Sequence, residues 1–403
     1  MSSSVAARVR TIGVPVLGIA AWAAVVLIAT RWFRFDALRE YHEALTGWLD
    51  GGLLYDPTST GQIFDLSPLA ALLLIPVMAW PVPVAVALTT GLSLVAVLLC
   101  VRICFNGAVR TLPWSRWPVW GIVTLGVLAL EPVRQSLGLG QISLVILAVL
   151  LIDLTLIARR HPVGGIGIGL ATAMQPMFGL FVIFLVITRR WQASTIAAIT
   201  LLLSLVLSLL AFPEATGAYL ADQFFSPGST VQLSDLGNQA LSGVMARLYE
   251  SGSAPAITWL GFALFAAAWG MAHARDAHLR GNRLAAATIV GLTGLVVSPV
   301  SWWHQFVWII PAMGILLWWA LTPPLPLRRP TLWDRPWGRW SITAVMWLWF
   351  VSAPIWWPMS GGWRLITENG YLIATICLIA ILPRAAHRCP ADRFAPPIGT
   401  ESS

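Results

Sequence analysis

Long apolar stretches alternate with short polar breaks along this chain, and the alternation sets the first expectation. Apolar segments fall at residues 12–30, 84–103, 117–132, 141–158, 163–174, 176–188, 191–212, 256–274, 284–298, 304–322, 340–357 and 370–383. About 20 apolar residues make one helical crossing of a bilayer. The pattern therefore predicts an all-α polytopic membrane protein, one integral domain over 1–403, with about 12 transmembrane segments. Residues 163–174 and 176–188 are short, and Gln175-Pro176 breaks them apart. Proline removes a backbone donor there, so this pair is expected as two half-depth helices set against protein. The stretch 67–80 is apolar but too short to cross, and is expected as a re-entrant or interfacial helix.

Composition sharpens this picture. Of 403 residues, 58% are hydrophobic and 10% charged, against roughly 45–50% and 25% in soluble domains. Water is not the main solvent of such a chain. The formal charge of +8 comes from arginine alone, with no lysine, and it is not gathered on one polar domain. That distribution argues against nucleic acid as a partner. Cys100, Cys104, Cys377 and Cys389 form no CxxC pair and are expected as free thiols. The run from Thr11 to Thr30 exceeds a signal-peptide core and reads as a retained first span.

Charge then orients the segments. With alternating crossings, nineteen of the 25 arginines fall on one side and six on the other. The arginine-rich side is the expected cytoplasmic one, which places both termini in the cytoplasm. Twelve of the 17 acidic residues fall on the opposite side, and Asp153 lies within a segment. The long loops, 31–82 and 213–255, are extracytoplasmic in this scheme, and 384–403 is a cytoplasmic tail. Long loops in compact proteins are commonly functional, so chemistry is expected on the outer face.

Three polar constellations stand out on that face. Leu38, Tyr41, Leu45, Trp48 and Leu49 follow helical spacing opposite Arg39, Glu40, His42 and Glu43. They predict an amphipathic helix on the membrane, opened by Asp36 and closed by Gly51-Gly52. Asp36 is either the N-cap of this helix or a carboxylate held as a general base. Glu131-Pro132-Val133-Arg134-Gln135 and Gly138-Leu139-Gly140-Gln141 join two segments, serving either as helix caps or as an anion site with Arg134 on a phosphate. Ser301-Trp302-Trp303-His304 opens another segment after Pro299, where a lone histidine is structural or functional. Asp36, Arg134, Gln141, Asn238, Gln239 and His304 all emerge on one side, and polar groups at apolar depth mark functional paths. No HExxH and no second histidine near His304 suggest a protein-bound metal. Most of the 23 tryptophans lie near segment ends, including Trp302, Trp303, Trp318 and Trp319, as an aromatic belt would place them. A few of them could stack on sugars.

In order along the chain, these motifs resemble glycosyltransferase family 87, the polyprenol-phosphate-mannose-dependent mannosyltransferases with a GT-C membrane fold. The likeness rests on Asp36 and its helix, Gly51-Gly52-Leu53-Leu54-Tyr55-Asp56, Ser67-Pro68-Leu69-Ala70-Ala71-Leu72 and Glu131-Pro132 through Gln141. It continues through Leu151-Ile152-Asp153-Leu154, Gly167-Ile168-Gly169-Leu170-Ala171, Gln175-Pro176 and Arg189-Arg190. Gly237-Asn238-Gln239-Ala240-Leu241-Ser242-Gly243 and Ser298 through His304 complete it. The resemblance implies a GT-C-like bundle in the plasma membrane that uses no cofactor. Its donor would be polyprenyl phosphate mannose. Its acceptor would be a lipid-linked glycan of phosphatidylinositol mannoside or lipomannan type, on the extracytoplasmic side. Transfer would invert the anomeric centre and give an α-mannoside. Asp36 would be the catalytic base and His304 would hold the donor phosphate. Arg134, Gln141, Gln175, Asn238, Gln239 and Trp302 would contribute to donor and acceptor binding. The chain departs from the family pattern where Asp36 through Tyr41 is one residue longer, and where Gln175 replaces a common lysine. Two other classes fit parts of the pattern. A lipid or small-solute transporter would depend on Asp153, and an inactive glycan-assembly subunit would not need Asp36.

Overall fold

A computed structural model describes residues 33–55, 64–113, 116–224, 232–249, 255–322 and 335–385. The expected first span at 12–30 and the tail from 386 onward lie outside these residues. Among the described residues the architecture is helical, and the only extended pairing is one antiparallel bridge, Asn238 with Trp302. In chain order, α1 is Asp36–Leu49, α2 Pro68–Met78, α3 Val82–Cys104, α4 Arg116–Leu128, α5 Glu131–Leu139 and α6 Ser143–Ala158. Then follow α7 Ile166–Met174, α8 Gly179–Ile187, α9 Trp191–Ala211, α10 Leu241–Leu248 and α11 Ala256–Leu279. The described chain ends with α12 Arg283–Val297, α13 Ile309–Leu321, α14 Pro336–Ser352, α15 Gly362–Glu368 and α16 Gly370–Ala385.

Four described helices are long and apolar enough to cross a membrane, or up to six if each of two bent pairs is one span. Three of them, α3, α9 and α11, bury mainly small residues and turn large ones outward, while Trp303–Leu321 is interior and buries large residues too. On α3, Ala85, Thr89, Ser93, Ala96, Cys100 and Cys104 are buried at helical spacing, while Leu88, Leu92, Val95 and Leu98 are exposed. Lipid tails are as apolar as leucine, so helices associate where small side chains let backbones approach. α11 repeats the device, and a Cβ on Gly270 would overlap Thr293 of α12. α12 is buried on every side from Leu284 to Val296 and forms the axis of the bundle.

The sequence-based segments are modified at their ends. The 117–132 segment is not one helix: α4 stops at Leu128, and α5 departs from it at 75°. Pro132 in the first turn of α5 has no donor for a continuing ladder. The 340–357 segment is helical only to Ser352. There Ala353 takes a left-handed conformation (φ 52°) ahead of Pro354. The 304–322 segment opens as a 3-10 turn, Trp303–Trp308. Trp318 and Trp319, expected in an aromatic belt, are interior, with the Arg339 guanidinium 5.2 Å over the Trp319 ring. Trp80, Trp117, Trp191 and Trp363 are exposed at helix ends, as such a belt requires.

α7 and α8 enter and leave at the same end of the bundle. The start of α7 is fixed to Asp153, near the end of α6, and Leu185 near the end of α8 shares a recess with Ala158. The reversal between them is Gln175, extended at φ −139°, followed by the 3-10 turn Pro176–Phe178. Nine residues of helix cover about 13 Å, less than half the roughly 30 Å of a hydrocarbon core. The apex packs on α12, where Gly294 leaves room for the Met177 carbonyl.

Candidate active site

α1 is held against the end of α5, and that contact places Asp36. The Phe35 amide donates to the Gly138 carbonyl at 3.1 Å. Two residues on, Gly140 ends α5 in a left-handed turn (φ 73°), and a Cβ there would overlap Leu38 of α1. The helix expected to lie on the membrane instead buries Leu38, Tyr41 and Leu45 against protein. Asp36 itself is exposed at the first helical position. It is not the N-cap: that position is Phe35, in a left-handed conformation at φ 54° and with no side-chain cap bond. The Asp36 carboxylate has no hydrogen-bond or ion-pair partner among the described residues. It stands at a helix N-terminus, where negative charge is favoured.

One turn further along α1, Tyr41 ties three segments together. Its hydroxyl donates to Asp65 Oδ1 at 2.8 Å and lies 3.1 Å from the Gln141 side-chain amide oxygen. A phenol has one hydrogen, so the Gln141 amide completes the set when its NH2 faces Tyr41. Asp65 is exposed as a residue, but its carboxyl turns inward onto Tyr41. Burial lifts its pKa above the ordinary carboxylate value, against the lowering effect of the Tyr41 hydrogen bond. Tyr55 and Phe64 pack around this group, with Tyr55 bonded to the Leu66 carbonyl at 3.0 Å.

The far side of α5 packs on the 3-10 turn Trp303–Trp308, which carries His304. The approach to that turn is fixed by the 237–242 segment. The Gln239 amide donates to the Ser301 carbonyl at 2.8 Å, and the Trp303 amide donates to Gly237 at 3.0 Å. Asn238 Oδ1 accepts from the amides of Ser301 and Ala240, and its Nδ2 donates to the Leu233 carbonyl. Gln239 Nε2 donates to the carbonyls of Leu236 and Glu368, and its Oε1 accepts from the Tyr371 amide. Both side chains were expected to touch substrate; the Asn238 amide is engaged in fixing the approach to the His304 turn, and the Gln239 amide in tying this segment to the start of α16. Arg247 completes this scaffold by donating to Asn369 Oδ1 and to the carbonyls of Asp235 and Asn238. Burial lowers its pKa to about 10, opposed by Glu368 and Asp235.

His304 is 4% exposed, and neither ring nitrogen has a hydrogen-bond partner among the described residues. Its neighbour is the Trp303 indole, 5.4 Å away and edge-on. Leaving a buried polar group unpaired costs about 1–3 kcal/mol. The elements meeting here bring further unpartnered buried atoms: Ser136 Oγ on α5, Ser143 Oγ on α6, Ser301 Oγ and Trp303 Nε1. Trp302 is half-buried beside them, and Arg134 is exposed on α5. Gln175 is at the α7–α8 apex and 9% exposed, and the 3-10 turn that follows it brings Phe178 to 6.4 Å from Trp308 of the His304 turn.

Two buried carboxylates have structural partners. Glu131 accepts from the Tyr371 hydroxyl at 2.6 Å and from Trp356 Nε1 at 3.2 Å, tying α16 to α5. Asp153 accepts from the amides of Gly165 and Ile168, both at 2.9 Å, and so caps α7. Sequence reasoning missed Tyr371, Arg247 and the Asp65 contact. One signal was available. The chain has 23 Trp and 15 Phe but only 5 Tyr, so each tyrosine hydroxyl in this apolar setting implies a partner.

An all-α, multi-spanning membrane protein that leaves a carboxylate and a buried imidazole unspent around one short helix is a membrane-enzyme arrangement. Residues 67–299, more than half of the chain, match the profile of Glycosyltransferase family 87, and the chain belongs to that family. A relative from Mycobacterium tuberculosis is a polyprenol-phosphate-mannose-dependent alpha-(1-2)-phosphatidylinositol mannoside mannosyltransferase. It is 27% identical over 75% of this chain and 74% of its own. The protein of the same description from Mycolicibacterium smegmatis is 28% identical over 87% and 83%. Among solved structures, ArnT from Cupriavidus metallidurans bound to undecaprenyl phosphate aligns with a TM-score of 0.40. It is 13% identical, over 91% of this chain and 77% of that one.

Proposed function

We propose that this protein transfers mannose from a polyprenyl phosphate mannose donor to a lipid-linked glycan acceptor of phosphatidylinositol mannoside type, within a GT-C-like bundle. Transfer takes place on the extracytoplasmic side, inverts the anomeric centre and yields an α-mannoside. The donor and acceptor classes follow the described activities of the relatives. The observation that carries the site is His304, a buried imidazole with both nitrogens unpartnered, beside the short helix that also anchors Asp36.

The chemistry follows from charge. As the acceptor hydroxyl attacks C1 from the face opposite the phosphate, Asp36 takes its proton. The C1–O bond to phosphate breaks and the polyprenyl phosphate leaves with the electron pair. The imidazole N–H, with the Ser136, Ser143 and Ser301 hydroxyls in the same packed region, supplies donors to the charge growing on that phosphate. Arg134 and Trp302 line the approach, and Gln141 positions α1 through Tyr41. A lipid-borne donor reaches such a site sideways, with no nucleotide in the cytoplasm.

The test is transfer of radiolabelled mannose from polyprenyl phosphate mannose to phosphatidylinositol mannosides in membranes, comparing wild type with Asp36→Asn. Loss of about 10²-fold or more in the folded variant, in the range of a missing general base, supports the assignment. Equal rates in the two proteins remove Asp36 as the base. The transporter reading loses its carboxylate, because Asp153 is engaged with backbone amides.

A further inference from the structure

A histidine at work in a site is commonly aimed by the bond that one ring nitrogen makes to a carboxylate or carbonyl. His304 has no such bond, since both of its nitrogens lack a partner among the described residues. Its ring is aimed by packing and by the backbone that carries it. Whatever fixes that backbone therefore fixes the imidazole.

The backbone leading into His304 is tied to one segment. Ser301 spends both of its main-chain groups there. Its amide donates to Asn238 Oδ1 at 3.1 Å, and its carbonyl accepts from the Gln239 amide at 2.8 Å. The Trp303 amide donates to the Gly237 carbonyl at 3.0 Å, and the Ser242 hydroxyl donates to the Pro299 carbonyl. The fit is close: a Cβ on Gly237 would overlap the Trp303 ring. Residues 232–240 form turns and a single bridge, so they have no helical ladder of their own to keep them rigid.

Arg247 supplies that rigidity from the last turn of α10. Its Nη1 donates to the carbonyls of Asp235 and Asn238 at 2.8 and 3.0 Å. Its Nε and Nη2 both donate to Asn369 Oδ1, at 3.1 and 2.7 Å. Asn369 is buried between α15 and α16, and its Nδ2 donates to the Leu365 carbonyl at 2.7 Å, which leaves Oδ1 turned to Arg247. One planar cation thus braces the 235–238 turn against the start of α16. A guanidinium presents its donors in a rigid fork, which the point charge of lysine does not reproduce. The neighbouring carboxylates are engaged elsewhere. Asp235 Oδ1 accepts from the Gly237 amide at 2.7 Å, and Glu368 pairs with Arg364 at 2.6 Å. Every hydrogen bond of Arg247 therefore goes to a neutral oxygen, and its geometry is what the fold uses.

We propose that Arg247 and Asn369 are positioning residues for His304: the clamp they form sets the 235–238 turn, and through it the backbone that aims the imidazole. Neither touches the reacting atoms. The catalytic consequence rests on the mannosyltransferase reading, whereas the aiming of the ring does not. A misplacement of ~1 Å at a reacting group can cost about 10²-fold in rate.

The experiment has two readouts on the full chain purified in detergent. The first is kcat/KM for mannosyl transfer from polyprenyl phosphate mannose to phosphatidylinositol mannoside. Arg247→Met and Asn369→Leu each lower it about tenfold or more, and Arg247→Lys recovers only part of the loss. In a His304→Phe background neither substitution lowers it further, because residues acting as one unit do not add. Losses that multiply in that background are those of a merely structural role and overturn the proposal. Arg280→Gln serves as the control, because Arg280 pairs with Asp276 at 2.9 Å, away from the clamp. The second readout is NMR of protein isotope-labelled at histidine Cε1. The His304 signal is identified by its absence from His304→Phe. It shifts or broadens in Arg247→Met and in Asn369→Leu, while the signal of His273 on α11 stays in place. An unchanged His304 signal in both variants overturns the proposal, whether or not transfer is detected. If wild type transfers no mannose, the mannosyltransferase reading fails, and the NMR readout still decides the positioning.

Discussion

At the scale of single residues, His304 and Asp36 differ in what surrounds them. Asp36 is exposed and unpartnered, so replacing it costs the fold little. His304 is buried and unpartnered, so the fold bears a cost for keeping it. Proteins hold such groups where function needs them, at the expense of stability. His304→Phe fills the same space without polar nitrogens. Its melting temperature in a detergent thermal-shift assay should equal or exceed that of wild type, while kcat/KM for mannosyl transfer falls about 10²-fold, the scale of one missing donor to developing charge. A melting temperature several degrees lower would make His304 a structural residue instead. Asp36, Arg134 and His304 were all legible as candidates in the sequence. The different use of Asn238 and Gln239 was not. An amide side chain in a Gly-Asn-Gln motif reads alike whether it meets a sugar or a carbonyl, and only the folded positions of Ser301, Glu368 and Tyr371 settle which.

At the scale of elements, polar residues in apolar runs decide where helices start and turn. Asp153 is the clearest case. It lies on α6 but serves α7, accepting from two of the amides that a helix N-terminus leaves without partners. Asp153→Ala should therefore destabilise the protein by about 1–2 kcal/mol, the range of a lost cap, seen as a lower melting temperature. Transfer by the protein that remains folded should be close to wild type. A transport activity abolished in this variant would reverse the reading. The α7–α8 hairpin was foreseen from Gln175-Pro176, because proline acts locally on the backbone. The bend between α4 and α5 was not, although a proline stands just after it. Pro132 stands in the first turn of a helix, where it is equally at home in a continuing chain direction or a new one, and the contacts of Glu131 with Tyr371 and Trp356 fix the direction.

At the scale of the whole molecule, the bundle has two chemically distinct ends. One gathers Asp36, Tyr41, Asp65, Gln141 and the His304 turn. The other gathers Arg160, Arg190, His278 and Arg283. In the proposed orientation the arginine-rich second end faces the cytoplasm, and that orientation can be measured. In a background with Cys377 and Cys389 changed to Ser, Asp50→Cys should react with a membrane-impermeant maleimide added to intact cells. Arg280→Cys should react only after the cells are opened. The reverse pattern would turn the proposed active site to the cytoplasm and remove the extracytoplasmic reading.

The sequence by itself determined the solvent, the class and the order of segments. These follow from the length and composition of each apolar run, and hydrophobic burial and helix hydrogen bonding act on such runs locally. It also carried the motif order by which the chain resembles its family. Tertiary structure decided which polar side chains are spent and which are left. Tyr41 reads as one apolar position on a helix face until Asp65 and Gln141, from loops 24 and 100 residues away in the chain, meet its hydroxyl. Glu131 reads as part of a helix cap or an anion site until Tyr371, 240 residues on, occupies it. A hydrogen bond between distant segments depends on how helices cross, and crossing is fixed by the packing of small residues such as Gly140 and Gly270, which the hydrophobic pattern of the chain does not encode.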